Sequence, residues 1–333
     1  MALAQKNTLQ TELLFSRFAN ELSPFLEEAG LGTSFFTDPD LEVSAASLAK
    51  LMELAGRALG DTIGLRLGSQ VQSSDMGVLG QALRSMDRLG DTMKGLSRYM
   101  VTRSQAERIE MVESDRQVIV SYQIADPSIT QKRQDAEFSI AAMLSCMREM
   151  TGCAIAPVRV DFEHAAPVDL SCHREMFHCP IRFGQDCNRL YFNRSVLDLP
   201  ICTSNRRLLQ ALKPYLEEQR KIRSQSASLL IDVSRAIATE LGRGRIGVVQ
   251  VAEAMNLSVR TLQRRLRDLD LEFGTVVEDV RRALAIEYVG NSSFRLTDVA
   301  LMLGYTEASS FSRAFRRWTN LTPREYRKTS GLS

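Results

Sequence analysis

The fold of this chain is decided by a pattern that occurs twice, first as VAEAMNLSVRTLQRRL from Val251 to Leu266 and again as VALMLGYTEASSFSRAF from Val299 to Phe315. Each copy predicts a helix, a tight turn and a second helix. The turns fall at Asn256 and Gly304, two residue types that tolerate a positive φ angle. The chain is therefore predicted to contain two helix-turn-helix units.

The second helix of each unit has one apolar face and one polar face. Leu262 and Leu266 are four residues apart, and Phe311 and Phe315 repeat that spacing, so each pair shares a buried face. The opposite faces carry Arg, Gln and short polar side chains: Arg260, Thr261, Gln263, Arg264, Arg267, Ser309, Ser312, Arg313, Arg316 and Arg317. Such a face fits the major groove of DNA, where Arg pairs with guanine and Gln with adenine.

Two further features position these helices. Ser258 and Thr306 precede them and are predicted to cap their free N–H groups. Residues Thr275–Gly290 predict a linking helix between the two units, about 24 Å long at 1.5 Å per residue. This length, with the turns at each end, would place the two reading helices about 34 Å apart, in successive major grooves.

The C-terminal segment resembles the AraC/XylS transcription regulators in three stretches, Gly304–Tyr305, Ser310–Trp318 and Thr322–Arg327. The resemblance implies base contacts by Arg260, Gln263, Arg264, Ser309, Ser312 and Arg313. It implies phosphate contacts by Thr261, Arg267, Arg316 and Arg317. Ala308 stands where the family often has a longer polar residue, which suggests weaker sequence reading by the second helix.

A solvated helix face is the ordinary alternative for each of these arginines. The DNA-binding interpretation is preferred because Arg recurs at equivalent places in the two repeats. Charge supports it weakly: residues 229–333 hold 16 of the 42 basic and 12 of the 40 acidic residues.

The N-terminal region has a different residue pattern, which predicts both strands and helices. Ile109–Glu113 and Val118–Ile124 are β-prone runs around Ser114–Arg116, which predicts a hairpin. Three further strands are predicted at 156–163, 181–183 and 189–193, and helices at 9–30, 44–59 and 132–151. The predicted fold is an α+β N-terminal domain followed by an all-α domain of two helix-turn-helix units joined by a linker helix.

This region resembles the sensor and dimerisation half of one branch of AraC-type regulators. The resembling stretches are Leu65–Gly68, Gly77–Gly80, Val160–His164, Pro167, Cys179–Phe183 and Leu197–Pro200. The resemblance implies a ligand-sensing or dimerisation domain over residues 1–224 and a DNA-binding domain over 225–333. A polar linker is predicted at Ser224–Ser228. The motif set for a sugar is not visible, so the effector is not identified.

An apolar stripe precedes that boundary and includes Leu208, Leu212, Tyr215 and Leu216. In regulators of this family a helix near this place often pairs two subunits, which would make the protein a homodimer. A stripe of this kind also suits the core of a monomer. The sequence leaves both interpretations open.

Composition narrows the class of protein. A length of 333 residues suggests two domains. No run of about 18 apolar residues occurs, so no membrane span is expected. Residues 1–20 lack the basic-then-apolar order of a signal peptide, so a cytoplasmic protein is expected.

Neither a metal site nor an enzyme is predicted. Cys172, His173, His178, Cys179 and Cys187 cluster in sequence, but their spacing matches no standard zinc module. No metal, cofactor or catalytic residue is expected, because the sequence has no nucleophile elbow, phosphate loop or metal-binding helix motif.

The sequence thus predicts a DNA-binding transcription regulator. The favoured form is an effector-responsive activator that contacts promoter DNA, RNA polymerase and an unidentified small molecule. The alternative is a regulator that senses no ligand and is controlled by dimerisation or by a protein partner.

Overall fold

We describe the chain from a computed structural model, over residues 8–11, 14–124, 129, 131–244, 246–269, 271–290 and 294–329. The chain divides into two compact units, Lys6–Arg223 and Ser224–Ser333, here called the N-terminal unit and the C-terminal unit.

The N-terminal unit is built on two small sheets. The strands in its described residues are β1 (Thr8–Gln10), β2 (Glu42–Ser44), β3 (Glu107–Glu113), β4 (Gln117–Ile124), β5 (Arg159–Asp161), β6 (Ile181–Arg182) and β7 (Asn188–Asn193). One sheet has the order β3-β4-β7-β5-β6 and is antiparallel except for the pair β5–β6, while β1 pairs with β2. The five predicted strands are confirmed. The predicted helix over 9–30 is wrong at its start, where β1 lies, and is otherwise reduced to short helical turns. The pair β1–β2 was missed because three-residue strands are too short for an alternating pattern.

The hairpin of β3 and β4 forms around Ser114–Arg116, as predicted. The Ser114 Oγ accepts a hydrogen bond of 3.2 Å from the backbone N–H of Gln117, which closes the turn. Along β4, Val120 and Tyr122 are buried and alternate with more exposed residues. One face of this strand therefore packs in the core.

Helices cover the rest of this unit: α1 (Ala19–Leu22), α2 (Leu26–Ala29), α3 (Ala45–Leu59), α4 (Ile63–Gly68), α5 (Gly77–Leu83), α6 (Leu89–Tyr99), α7 (Arg133–Thr151) and α8 (Ser171–Phe177). Helix α4 crosses α7 very closely. A Cβ atom at Gly68 would lie 2.4 Å from the carbonyl oxygen of Phe138, and one at Gly64 would lie 2.2 Å from that of Gln134. The glycine that ends Leu65–Gly68 is thus required by packing.

Helix α9 (Arg206–Gly242) runs without a break through Ser224–Ser228. The prediction of a polar linker there is wrong as regards its conformation. The segment consists of Ser, Gln and Ala, none of which breaks a helix, and the apolar repeat continues on both sides of it.

The C-terminal unit continues with α10 (Val248–Ala254), α11 (Val259–Arg267), α12 (Phe273–Gly290), α13 (Leu296–Met302), α14 (Ala308–Thr319) and α15 (Pro323–Thr329). It has two apolar cores, and α12 contributes to both. Val276 and Val280, near the start of α12, pack with the first helix-turn-helix, whereas Ala285 and Val289 pack with the second. The all-α prediction with a linking helix is confirmed. Among the described helices, none combines the length and apolar composition needed to cross a bilayer.

Candidate DNA-binding surface and interior cavity

The first helix-turn-helix consists of α10 and α11. Asn256 lies in the turn with a φ angle of 54°, which confirms the prediction for this position. The Ser258 Oγ accepts a hydrogen bond of 3.1 Å from the backbone N–H of Thr261 and so caps α11. Leu262 and Leu266 are buried against the rest of the unit. These contacts fix which face of α11 meets solvent.

That exposed face carries four long polar side chains, which are Arg260, Gln263, Arg264 and Arg267. Their side chains make no hydrogen bond or ion pair with any residue that the structure describes. Thr261 differs from them because it is half-buried and its hydroxyl lies 2.8 Å from the Ser258 Oγ, within the cap. The first reading helix therefore presents a row of donors that is available to a ligand.

The second helix-turn-helix consists of α13 and α14. Gly304 occupies its turn with a φ angle of 77°, as predicted. The predicted cap by Thr306 is wrong, because α14 begins at Ala308 with Glu307 as its N-cap and has no side-chain capping bond. The single residue by which this copy is longer than the first shifts the start of the helix past Thr306. Phe311 and Phe315 are buried, with ring centroids 5.8 Å apart.

The polar side chains of α14 have partners on their own helix end. The Ser309 hydroxyl donates to Glu307 at 3.0 Å, and the Ser312 hydroxyl donates to the carbonyl oxygen of Ala308 at 2.9 Å. Arg313 donates from Nη2 to the Ser310 hydroxyl at 3.2 Å. The second reading helix thus offers DNA fewer unengaged groups than the first.

Arg316 and Arg317 lie one turn further along, and both are exposed. Arg317 forms an ion pair with Glu278 on α12, and the Trp318 Nε1 donates to the same carboxylate at 3.2 Å. Partial burial by itself raises the pKa of Glu278, but the hydrogen bonds from Trp318 and Arg317 outweigh it and hold the pKa below its usual value. Glu278, which the sequence interpretation missed, therefore anchors α14 to the linking helix.

Helix α12 holds the two helix-turn-helix units in one body. Its 18 residues span about 27 Å. The Arg281 guanidinium lies over the Tyr305 ring, 5.4 Å from its centroid. A Cβ atom at Gly304 would lie 2.5 Å from the Ile246 Cδ1, so the turn also approaches the start of the first unit closely. The spacing of the two reading helices is thus fixed by side-chain packing.

The predicted dimerisation residues fall on two faces of α9. Leu216 is buried in the core of the N-terminal unit, and Leu212 packs partly against that core. Leu208 and Tyr215 are 37% and 53% exposed. The apolar stripe therefore serves the core on one side and leaves two large side chains in solvent on the other.

The N-terminal unit encloses a cavity of about 80 Å³ between β1, α6, β3, β4 and α7. Its wall is mainly apolar and contains six methionines, which are Met76, Met93, Met100, Met143, Met147 and Met150. Methionine side chains are flexible and accommodate changes of shape. An apolar, adaptable chamber of this kind is typical of a small-molecule site.

Polar groups line one part of this cavity. The Tyr122 hydroxyl donates to Asp135 at 2.7 Å and lies 3.3 Å from Glu107. The pKa of Asp135 is raised to about 7, because burial and the charge of Glu107 raise it by more than the hydrogen bond from Tyr122 lowers it. Arg103, 6% exposed, also lines the cavity. The sequence interpretation missed these residues because their positions come together only in the fold.

The Cys and His residues of 172–187 are dispersed by the fold. His173 is fully buried, with its Nε2 3.0 Å from Glu137, and His164 lies 3.4 Å from the same carboxylate oxygen. Cys187 is buried beside Tyr122, whereas Cys172 is exposed. Within the described ranges, no group of three or more His, Cys, Asp and Glu side chains is arranged so that it could hold a metal ion.

Comparison with known proteins adds the following findings. Residues 21–201 match the family described as the arabinose-binding domain of AraC transcription regulator, N-term, and residues 251–329 match a helix-turn-helix domain. The ornithine utilization regulator of Pseudomonas aeruginosa is 28% identical over 266 residues, which cover 80% of this chain and 78% of that protein. The transcriptional regulator VirS of Mycobacterium tuberculosis is 26% identical over 326 residues, which cover 97% and 95%.

A solved structure is also similar. The crystal structure of the transcriptional regulator CdpR from Pseudomonas aeruginosa aligns with a TM-score of 0.45 and 23% identity, over 94% of this chain and 98% of that one.

Proposed function

Since this chain belongs to the AraC family of transcription regulators, we propose that it activates a specific promoter when a small effector occupies the cavity of its N-terminal unit. In this proposal residues 1–224 sense and dimerise, and residues 225–333 bind DNA. The observation that carries it is the packing of both helix-turn-helix units on α12, with the donors of α11 unengaged by any described residue.

DNA reading is assigned to the exposed faces of α11 and α14. Base contacts are proposed for Arg260, Gln263, Arg264, Ser309, Ser312 and Arg313. Phosphate contacts are proposed for Arg267 and Arg316, whose guanidinium groups are exposed and without partners among the described residues. Thr261 and Arg317 already contact Ser258 and Glu278, so we propose that they position the reading helices.

Effector control acts through a shift between conformations of differing DNA affinity. A ligand that binds one conformation better than the other moves the population towards it by its difference in affinity. The methionine-rich cavity supports this part of the proposal. Activation through contact with RNA polymerase is the mode we favour for this family, and the protein would act in the cytoplasm.

Homodimerisation is proposed through the exposed side of α9. Leu208 and Tyr215 are seven residues apart, which is the spacing of a coiled-coil seam. The buried side of the same stripe, with Leu212 and Leu216, belongs to the core. Changing Leu208 and Tyr215 to Glu together should therefore yield a folded monomer in sedimentation analysis.

A second candidate function is ligand-independent regulation by dimerisation or by a protein partner. The small cavity, about 80 Å³, favours it, because an engineered apolar cavity that holds benzene measures about 150 Å³. Thermal-shift screening with small molecules separates the two functions, since an effector that binds the folded state raises the melting temperature.

The proposed DNA binding is tested by a salt titration on the DNA upstream of this gene and on a scrambled duplex of equal length. Tighter binding to the upstream duplex, with a steep dependence on salt, is the expected result. Equal affinity for both duplexes, across all salt concentrations, would count against that target. Absence of binding to either duplex, both without and with a small molecule that stabilises the protein in thermal-shift screening, would contradict the proposal.

A further inference from the structure

Arg103 is a buried cation that has no partner in the part of the chain that the structure describes. It follows a short 3₁₀ turn and is 6% exposed. Its Nε atom is inaccessible to solvent and makes no hydrogen bond. Among the described residues, none forms an ion pair or a hydrogen bond with its guanidinium. The fold therefore places a guanidinium cation inside the N-terminal unit.

The backbone of Arg103 is fixed on both sides. Its N–H donates to the carbonyl oxygen of Met100 at 2.9 Å, and its own carbonyl oxygen accepts from the N–H of Gln10 at 2.8 Å. The side chain lines the cavity described above. The charge is therefore held at one wall of the chamber by the fold itself.

Two acidic groups, Glu149 and Asp75, act together with Arg103 on the buried Cys146, and both are already engaged. Glu149 accepts from the Ser73 hydroxyl at 2.6 Å and pairs with Arg84 at 3.4 Å. Asp75 pairs with Arg17 at 2.8 Å. Neither of these two carboxylates is therefore free to pair with Arg103.

The acids elsewhere in the cavity also have a partner. Asp135 accepts from the Tyr122 hydroxyl, which lies near one oxygen of Glu107 as well. The second oxygen of Glu107 is buried and has no hydrogen bond. The cavity thus combines the Arg103 guanidinium, which no described residue pairs, the free carboxylate oxygen of Glu107 and an apolar, methionine-rich wall.

A buried charge without a partner is strongly unfavourable, and a carboxylate is the group that a guanidinium fork binds best. We propose that the effector is a compact apolar carboxylic acid whose carboxylate pairs with Arg103. The vacant oxygen of Glu107 favours an acid that also carries a hydrogen-bond donor, as an apolar amino acid does. This inference rests on the proposed effector-sensing role of the cavity.

The size of the cavity restrains the ligand. A volume of about 80 Å³ is smaller than the roughly 150 Å³ of an engineered cavity that holds benzene. The ligand must therefore be small, or the methionine side chains must move to admit it. Flexible thioether side chains allow such movement.

The test uses the full-length protein and a set of matched probes in thermal-shift and calorimetric titrations. The probes are 4-methylpentanoate, leucine and phenylacetate, with 4-methylpentanamide, 3-methylbutylamine and phenylacetamide as their uncharged or cationic counterparts. We expect at least one acid to raise the melting temperature, while its amide or amine does not. Leucine acting more strongly than 4-methylpentanoate would indicate that Glu107 takes part.

Three variants locate the effect. Arg103→Met should reduce acid affinity by about ten- to a hundredfold, the range expected for one charged hydrogen-bonding partner. Arg103→Lys should retain part of the response, and Arg108→Met, at an exposed site on β3, should behave as the wild type. The melting temperature of Arg103→Met without ligand should equal or exceed that of the wild type, because the unpaired charge is removed.

The outcomes separate this inference from the wider proposal. Stabilisation by the amides or amines, or an unchanged acid response of Arg103→Met, would overturn the assignment of a carboxylate to Arg103 and leave effector sensing intact. If no probe changed the melting temperature while specific DNA binding was retained, that result would count against a carboxylic acid as the effector and against ligand sensing by the cavity. Absence of specific DNA binding by the wild type, both alone and with an acid that stabilises it, would contradict the proposed function itself.

Discussion

The two reading helices share a packing plan but differ in how much of their polar surface is available to DNA. Both bury a pair of large apolar side chains four residues apart and follow a turn with a positive φ angle. On α11, Arg260, Gln263 and Arg264 have no partner among the described residues. On α14, Ser309, Ser312 and Arg313 already make local hydrogen bonds.

Two copies of one fold therefore present different surfaces to DNA. The apolar spacing sets the fold of each unit, whereas the exposed face sets its contribution to DNA recognition. We infer that α11 supplies most of the base discrimination. Helix α14, anchored to α12 through Glu278, supplies position and general affinity.

The largest expected effect on stability comes from removing a large side chain from the apolar core of either helix-turn-helix. Phe315→Ala should lower the free energy of unfolding by about 3–5 kcal/mol, and Leu262→Ala by about 2–5 kcal/mol, because each leaves a cavity in a fully buried site. Trp318 is the single tryptophan of the chain, so its fluorescence reports on the C-terminal unit during urea unfolding.

Both variants should unfold the two helix-turn-helix units in a single transition, since α12 belongs to both cores. Circular dichroism and Trp318 fluorescence should therefore report the same change for each variant. If Leu262→Ala lowered helicity at a urea concentration where Trp318 remained protected, the two helix-turn-helix units would unfold independently. That result would contradict cooperative unfolding of the C-terminal unit.

The next effect concerns base reading. Arg264→Ala should weaken binding to the specific duplex by about 1–3 kcal/mol, with little change for a scrambled duplex. Arg313→Ala should cost less than about 1 kcal/mol, because its guanidinium is already engaged with Ser310. Fluorescence anisotropy at matched salt measures both changes. Equal losses for the two variants would remove the distinction between the helices.

Within α14, Arg316 and Arg317 are expected to differ in whether they contact DNA phosphates. Arg316→Ala should weaken binding to all duplexes alike and lower the slope of log affinity against log salt by about 1. Arg317→Ala should leave that slope almost unchanged and slightly lower the melting temperature, because Arg317 pairs with Glu278. A full unit of slope lost in Arg317→Ala would show that it contacts phosphate instead.

The smallest effect is a dependence on pH. The folded-state pKa of Glu278 lies below its unfolded value of about 4.3, so its stabilisation is present above that pH and is lost as the pH falls through the folded-state pKa. The pair is exposed, so the effect should be less than about 1 kcal/mol.

Comparing the wild type with Glu278→Gln, by Trp318 fluorescence between pH 3 and 7, isolates this contribution. The stability difference should be constant from pH 6 to 7 and disappear in acid. Glu272→Gln, which changes an exposed carboxyl at the start of α12, is the matched control. If the stability difference between the wild type and Glu278→Gln grew as the pH fell, the folded-state pKa of Glu278 would not be lowered.

Much of the C-terminal unit was predictable from sequence. Positive φ at Asn256 and Gly304, and the burial of Leu262 and Phe311, follow from residue types and helical spacing. The cap by Ser258 also follows from residue type. The failed cap at Thr306 shows the limit, because one additional residue moved the start of the helix.

Contacts between distant segments were not predictable. Glu278 meets Arg317 across 39 residues, and Glu149 meets Ser73 across 76. No local pattern marks such pairs, because they form only when the tertiary fold brings the segments together. The same holds for Arg103, whose lack of a partner is a property of the packed cavity and not of its neighbours in sequence.

The most direct test of the unequal roles of the two helices is a base-pair substitution scan of the bound operator with the wild-type protein. The account predicts that substitutions in one major groove cost about 1–3 kcal/mol each, while those one helical turn away, about 10 base pairs along, cost clearly less. Equal costs in both grooves would contradict this prediction. Repeating the scan with Arg264→Ala and Arg313→Ala assigns each groove to a helix, and larger costs in the groove contacted by Arg313 would also contradict the prediction.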